Sequence, residues 1–131
     1  MSEAMQKIGQ RLRTQDNRIT QNPMFCLQIL VRDTGLDARY SDNRCWWSAS
    51  EMEVEYDVEP EGEGWEGPFG YQDRWETVMV AFTEKGIEDY MRQDGHNVKR
   101  KAHDGQTRIY VQSFNRCEEM IAIRKKLEGE G

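Results

Sequence analysis

The chain has 131 residues, a formal net charge of −6 and only three cysteines, Cys26, Cys45 and Cys117. That length suits one compact domain with a single core, which needs neither disulfides nor a metal to fold. No CxxC or CxxH spacing occurs, so a zinc site of the usual ribbon or finger kind is not expected, and the cysteines are expected to be reduced, buried thiols. No apolar run approaches the roughly 18 residues of a membrane helix, and the N-terminal MSEAMQKIGQRLRTQDNR lacks an apolar signal core. A cytoplasmic protein without a membrane segment, a metal or a cofactor is expected.

The charge is unevenly spread. From Cys45 to Asp73 there are nine acids and no Lys or Arg, while residues 1–44 hold seven bases against five acids and residues 74–131 eleven against ten. The negative charge therefore arises from one central segment, which bears on partners and solubility rather than on fold.

In chain order, Met5, Ile8 and Leu12 stand at helical spacing interrupted by Gly9, so residues 1–21 read as a short frayed helix or a disordered arm. Asn22-Pro23 stops any helix. The run MFCLQILVR (24–32) has the composition of a central strand. Turn chemistry fills 33–44, and RCWW (44–47) and MEVEYDV (52–58) follow as strands, the latter with Met52, Val54, Tyr56 and Val58 on one face and acids on the other. Residues 60–70, with four glycines and two prolines, read as a mobile loop.

Residues 71–82 fit helical spacing at Trp75, Val78, Met79 and Phe82, yet VMVAF alone suits a strand. A helix starting afresh at Thr83 favours the strand. That helix carries Ile87, Tyr90 and Met91 on one face and is predicted to stop at Gly95, leaving HNVKRKAHDGQT as a basic loop. RIYVQSF (108–114) is a further strand. Asn115 is predicted to cap a last helix with Glu118 at the third position, burying Cys117, Met120, Ile121 and Ile123. The expected architecture is α+β: one domain over 22–128, an antiparallel sheet of four to five strands with two helices packed on one face.

The segments GYQDRWETVMVAFTEKGIEDYMRQDGHN and RIYVQSFNRCEEMIAIRKKL resemble a family of small phage- and prophage-encoded proteins. Its pattern FTxKGAxxY…GHN is matched at Phe82, Thr83, Lys85, Gly86, Tyr90, Gly95, His96 and Asn97. Its RIYVxS…RNxEW pattern is matched at Arg108 to Val111, Ser113, Arg116 and Glu119. Cys117, Met120 and Ile87 depart from it. The resemblance implies a viral or prophage origin and an accessory protein that binds a host machine; it implies no chemistry.

Glu51, Glu53, Glu55, Asp57 and Glu59 alternate along the third strand, and Glu61 and Glu63 continue into the loop. Same-face residues of a strand recur at about 6.8 Å, close to the phosphate repeat of a nucleic-acid strand, so this ladder could occupy a Lys/Arg groove. The same charges also protect a sheet edge. Trp46 and Trp47 must point to opposite faces, so Trp47, like Trp65 in the acidic loop, is a candidate apolar anchor. His96, Lys99, Arg100 and Lys101, with Arg108 and Arg116, form an alternative nucleic-acid-binding set, or else an ordinary solvated turn. No P-loop, GxSxG, HExxH or GxGxxG occurs, so a catalytic site would need residues scattered in sequence, such as His96, Tyr110 and Arg116. The leading expectation is a non-enzymatic protein that binds a host protein with a basic surface. Nucleic acid is the less favoured partner, and a homodimer is compatible with either.

Overall fold

The structure, a computed structural model, describes residues 2–18 and 20–130. The chain is α+β. Five strands, β1 (Pro23–Leu36), β2 (Arg44–Ser48), β3 (Glu53–Tyr56), β4 (Trp65–Ala81) and β5 (Thr107–Ser113), form one sheet in the order β3-β2-β4-β1-β5. The helices are α1 (Glu3–Thr14), α2 (Glu84–Lys101) and α3 (Glu118–Glu130). Two compact units divide the chain, residues 1–29 with 76–131 and residues 30–75. Strands β1 and β4 each run from one into the other.

In the first unit the apolar run keeps its promise. Phe25, Cys26, Leu27 and Ile29 are buried almost completely, as befits a strand covered on both faces. Strand β5 pairs with it antiparallel, Cys26 opposite Tyr110 and Gln28 opposite Arg108. The one polar residue in the buried run, Gln28, donates to Thr77 Oγ1 at 3.0 Å and accepts from Arg108 Nε at 2.7 Å. A buried amide is tolerable only when satisfied in this way. Helix α2 is capped by the Thr83 hydroxyl, which accepts from the Gly86 N–H at 3.0 Å, and buries Ile87 and Val98.

Three expectations change here. There are three helices rather than two on one face, because residues 3–14 form a full helix. Ser2 Oγ accepts from the Met5 N–H, and the helix packs on α3 through buried Gly9 and Leu12. Helix α2 runs six residues past Gly95, so the segment from His96 to Lys101 is helix, not loop. Gly95 is a buried interior position, and the stop falls at Ala102, before the left-handed Asp104 and Gly105. Lys99, Arg100 and Lys101 then occupy the last turn, where cations suit the carbonyl end of the helix dipole.

Helix α3 begins at Glu118 rather than after Asn115. Cys117 is exposed and Ile123 is 47% exposed, while Arg124 and Leu127 are each 3% exposed. The inward face is the stripe Met120, Arg124, Leu127. Arg124 is held by Glu128 at 2.5 Å and by Asn17 Oδ1 at 3.2 Å, which is what allows a cation to replace an apolar residue there.

In the second unit, β2 pairs with β3 and β4, and Cys45, Trp46, Ser48 and Tyr71 are buried. The glycine-rich stretch predicted as loop turns into strand at Trp65. Gly67 makes this possible. Its φ is +138°, and a Cβ there would meet Trp46 Cδ1 at 2.9 Å and the Cys45 carbonyl at 3.0 Å.

The two glycines predict opposite responses. At Gly95 a Cβ would meet only the flexible Met91 side chain, at 3.4 Å or more. Gly95→Ala is therefore expected to stabilise by about 0.5–1 kcal/mol through helix propensity. Gly67→Ala is expected to cost about 2–4 kcal/mol from clash and backbone strain. Urea unfolding of both variants checks this; destabilisation by Gly95→Ala would contradict the helical placement.

Candidate functional site

The acidic segment lies wholly in the second unit. Strand β3 is a sheet edge of four residues, shorter than the seven predicted. Left-handed residues bound it, Met52 with φ +53° and Asp57 with φ +71°. Met52 and Val58, predicted to share the inner face, are 74% and 75% exposed. Glu53 and Glu55 stand opposite Ser48 and Trp46 on one face, and Val54 and Tyr56 stand opposite Trp47 and Cys45 on the other. Only two carboxylates form the regular ladder.

Asp57 leaves that ladder for a structural role. Its N–H donates to the Arg44 carbonyl at 2.8 Å, and its carboxylate accepts from Tyr71 Oη at 2.5 Å. This is part of a network no sequence pattern announces. The Arg32 guanidinium lies 4.6 Å from the Tyr56 ring centroid and 4.3 Å from that of Tyr71. The two rings meet edge to face at 5.1 Å. Arg32 also grips both oxygens of Asp73, at 2.6 and 2.9 Å. The Asp73 bond raises the Arg32 pKa above its ordinary value, and the Asp57 bond followed by burial raises that of Tyr71. One cation thus ties β1, β3 and β4 together.

The remaining acids are free to act outward. Glu51, Glu53, Glu55, Glu59, Glu61, Glu63 and Glu66 are all exposed, and none has an ion-pair partner among the described residues. The unit's own arginines are committed elsewhere: Arg32 to Asp73, Arg39 to Asp37, Arg74 to Asp33, and Arg44 to the Ser41 carbonyl. With four bases against twelve acids, residues 30–75 carry −8, and the other unit, with fourteen against twelve, carries +2. Trp47 is half-buried and lines an apolar cavity of about 340 Å³ with Thr34, Gly35, Cys45, Val54 and Phe69. Trp65 is half-buried in β4 opposite Ser48.

The basic candidates are divided. His96, Lys99 and Arg108 line one groove of about 730 Å³ between α2 and β5, together with Leu27, Glu88, Arg92 and Ile109. Arg100 joins them only through His96, whose Nε2 accepts from Nη2 at 2.8 Å, placing the ring proton on Nδ1. Lys101 faces a separate cavity beside Ile29 and Asp94, and Arg116 a third with Phe114 and Cys117. Tyr110 lines none of these, so His96, Tyr110 and Arg116 do not converge on one cavity. Among the described residues no group of three His, Cys, Asp or Glu is arranged for a metal, and no helix is long and apolar enough to cross a membrane.

The Tyr71–Asp57 bond sets an alkaline limit on stability. A tyrosine pKa raised on folding contributes stability that is complete below its unfolded value of about 10 and is lost as pH rises beyond that. Tyr71→Phe is expected to cost about 1–2 kcal/mol near pH 8, as for a hydrogen bond to a charged acceptor. The gap to wild type should narrow above about pH 10. Urea titrations of the two proteins across that range check the sign.

Compared with known proteins, the chain matches no family model, no curated protein and no solved structure.

Proposed function

We propose that this chain is a small accessory protein of phage or prophage origin, acting in the host cytoplasm. It binds a basic host protein, of the nucleic-acid-handling or defence kind, through the edge at β3 and the acidic turns that flank it. The observation that carries this reading is the set of seven exposed glutamates with no ion-pair partner among the described residues, in a unit whose every arginine is already engaged. Carboxylates arranged only to keep a sheet edge soluble would be as well served by interspersed lysines. Excess charge of one sign instead steers a partner of the other.

Trp47 and its cavity supply an apolar anchor on the opposite face of the same edge, in keeping with aromatic residues as interface anchors. The basic set supports nucleic-acid binding less well, since only three of its six residues share the groove.

Glu51, Glu53, Glu55 and Glu59 replaced together by Ser test the reading, with Asp57 left in place because it anchors Tyr71. A host protein captured from nuclease-treated lysate is identified and purified, and its affinity for wild type and variant is measured at two salt concentrations. The variant is expected to bind at least roughly tenfold more weakly, as four peripheral charges contribute about 0.3–1 kcal/mol each. Wild-type affinity should fall with salt more steeply than that of the variant, which keeps Glu61, Glu63 and Glu66. Equal affinity and equal salt dependence would overturn the proposal.

A further inference from the structure

The sheet has a second edge, β5, in the other unit. It differs from β3 in length and in charge, two of the features that guard an edge. Strand β5 is seven residues long, TRIYVQS, with no proline, no glycine and a single charge. Edges left in that state are templates for pairing with another strand.

The direction of its free groups follows from its register on β1. The Phe114 N–H donates to the Asn22 carbonyl at 3.1 Å, and Ser113 stands opposite Pro23. Alternation along an antiparallel ladder then turns the N–H and C=O of Arg108, Tyr110 and Gln112 toward β1. Those of Thr107, Ile109, Val111 and Ser113 point to the open edge. Pro23, which has no N–H, falls opposite one of the outward-pointing residues, as this alternation requires.

We propose that the open edge of β5 pairs antiparallel with the same edge of a second copy of this chain, about a two-fold axis at Tyr110. That register is the one in which all seven residues of the strand find a partner and every outward N–H meets an outward C=O. It makes about eight main-chain hydrogen bonds by the ladder rule. The side chains are self-complementary in it: Ile109 lies opposite the partner's Val111, Thr107 opposite the partner's Ser113, and Arg108 opposite the partner's Gln112. Tyr110, 44% exposed here, lies opposite the partner's Tyr110. Apolar, hydroxyl and aromatic pairs of this kind are the stabilising ones across strands, and no like charges stand opposite each other. The unit that carries β5 has a net charge of only +2, so repulsion between copies there is weak.

The test is register-specific cross-linking in a Cys117→Ser background, which removes the exposed thiol. At the axis, opposed residues have Cα atoms about 4.5 Å apart, within disulfide reach. Tyr110→Cys is therefore expected to give a disulfide-linked dimer under mild oxidation. Gln112→Cys, which meets its own copy only at about 13 Å, is expected to link at least roughly tenfold more slowly. Sedimentation should show wild-type dimers and monomeric Val111→Pro, since that proline removes an outward N–H and no bond to β1. Monomeric wild type at high micromolar concentration, or equal linking at the two positions, would overturn the proposal. The cysteine pair decides the matter even if the proline variant fails to fold.

Discussion

The structure turns on one strand that is buried on both faces. From Phe25 to Leu30 six consecutive residues are buried, so β1 must have neighbours on both edges and cover on both sides. Strands β4 and β5 flank it, and α2 lies beside Leu27 and Ile29. The lone amide in that run shows how strict the condition is. Gln28 could not be buried without Thr77 on one neighbouring strand and Arg108 on the other, and losing either partner would leave a buried polar group unpaired. Cys26, in the same run, has its thiol pKa raised by burial, which suits a small apolar filler rather than a nucleophile.

The elements legible in the sequence are those whose residues carry a local reason for their conformation. The apolar run of β1, the alternation around Val54 and Tyr56 and the Thr83 cap of α2 are of this kind. What was not legible depended on residues far apart in the chain. Gly95 followed by a basic, polar stretch reads locally as a helix stop, yet α2 continues because Val98, one turn further on, is drawn into the core beside Ile29. Burial of that valine contributes about 2 kcal/mol, more than the glycine costs. Arg124 is buried on the inward stripe of α3, where Asn17 and Glu128, far from and near to it in the chain, give it partners. The α1 helix was legible as helical spacing at Met5, Ile8 and Leu12, but its packing was not: its buried positions are Gly9 and Leu12, and it packs against α3.

The candidate site divides along the same line. The acids were visible as composition, and alternation on an edge accounts for the exposure of Glu53 and Glu55, the other exposed glutamates lying outside β3. The roles of Arg32 and Asp57 were not visible, because Arg32, Tyr56, Tyr71 and Asp73 come together only once three strands are aligned. That network also separates two kinds of carboxylate that look alike in the sequence. Asp57 and Asp73 are consumed in holding the strands, whereas the side chains of the glutamates from Glu51 to Glu66 have no ion-pair partner among the described residues. A residue that stabilises the fold through a buried partner is poorly placed to bind anything else, so outward function falls to the second kind.

The two edges of the sheet express the same economy in opposite ways. Every sheet that does not close must dispose of two rows of unpaired N–H and C=O groups. At β3 the strand is cut to four residues, bent away by left-handed residues at both ends, and surrounded by like charge. Another strand could add there only by bringing many positive charges with it. At β5 none of these devices is present, and the side chains are those that cross-strand pairing favours. A chain that carries such protection at one edge and omits it at the other treats its two edges differently in physical terms. The two proposed interactions rest on that difference: charge would select a basic partner at β3, and register would select a second copy at β5.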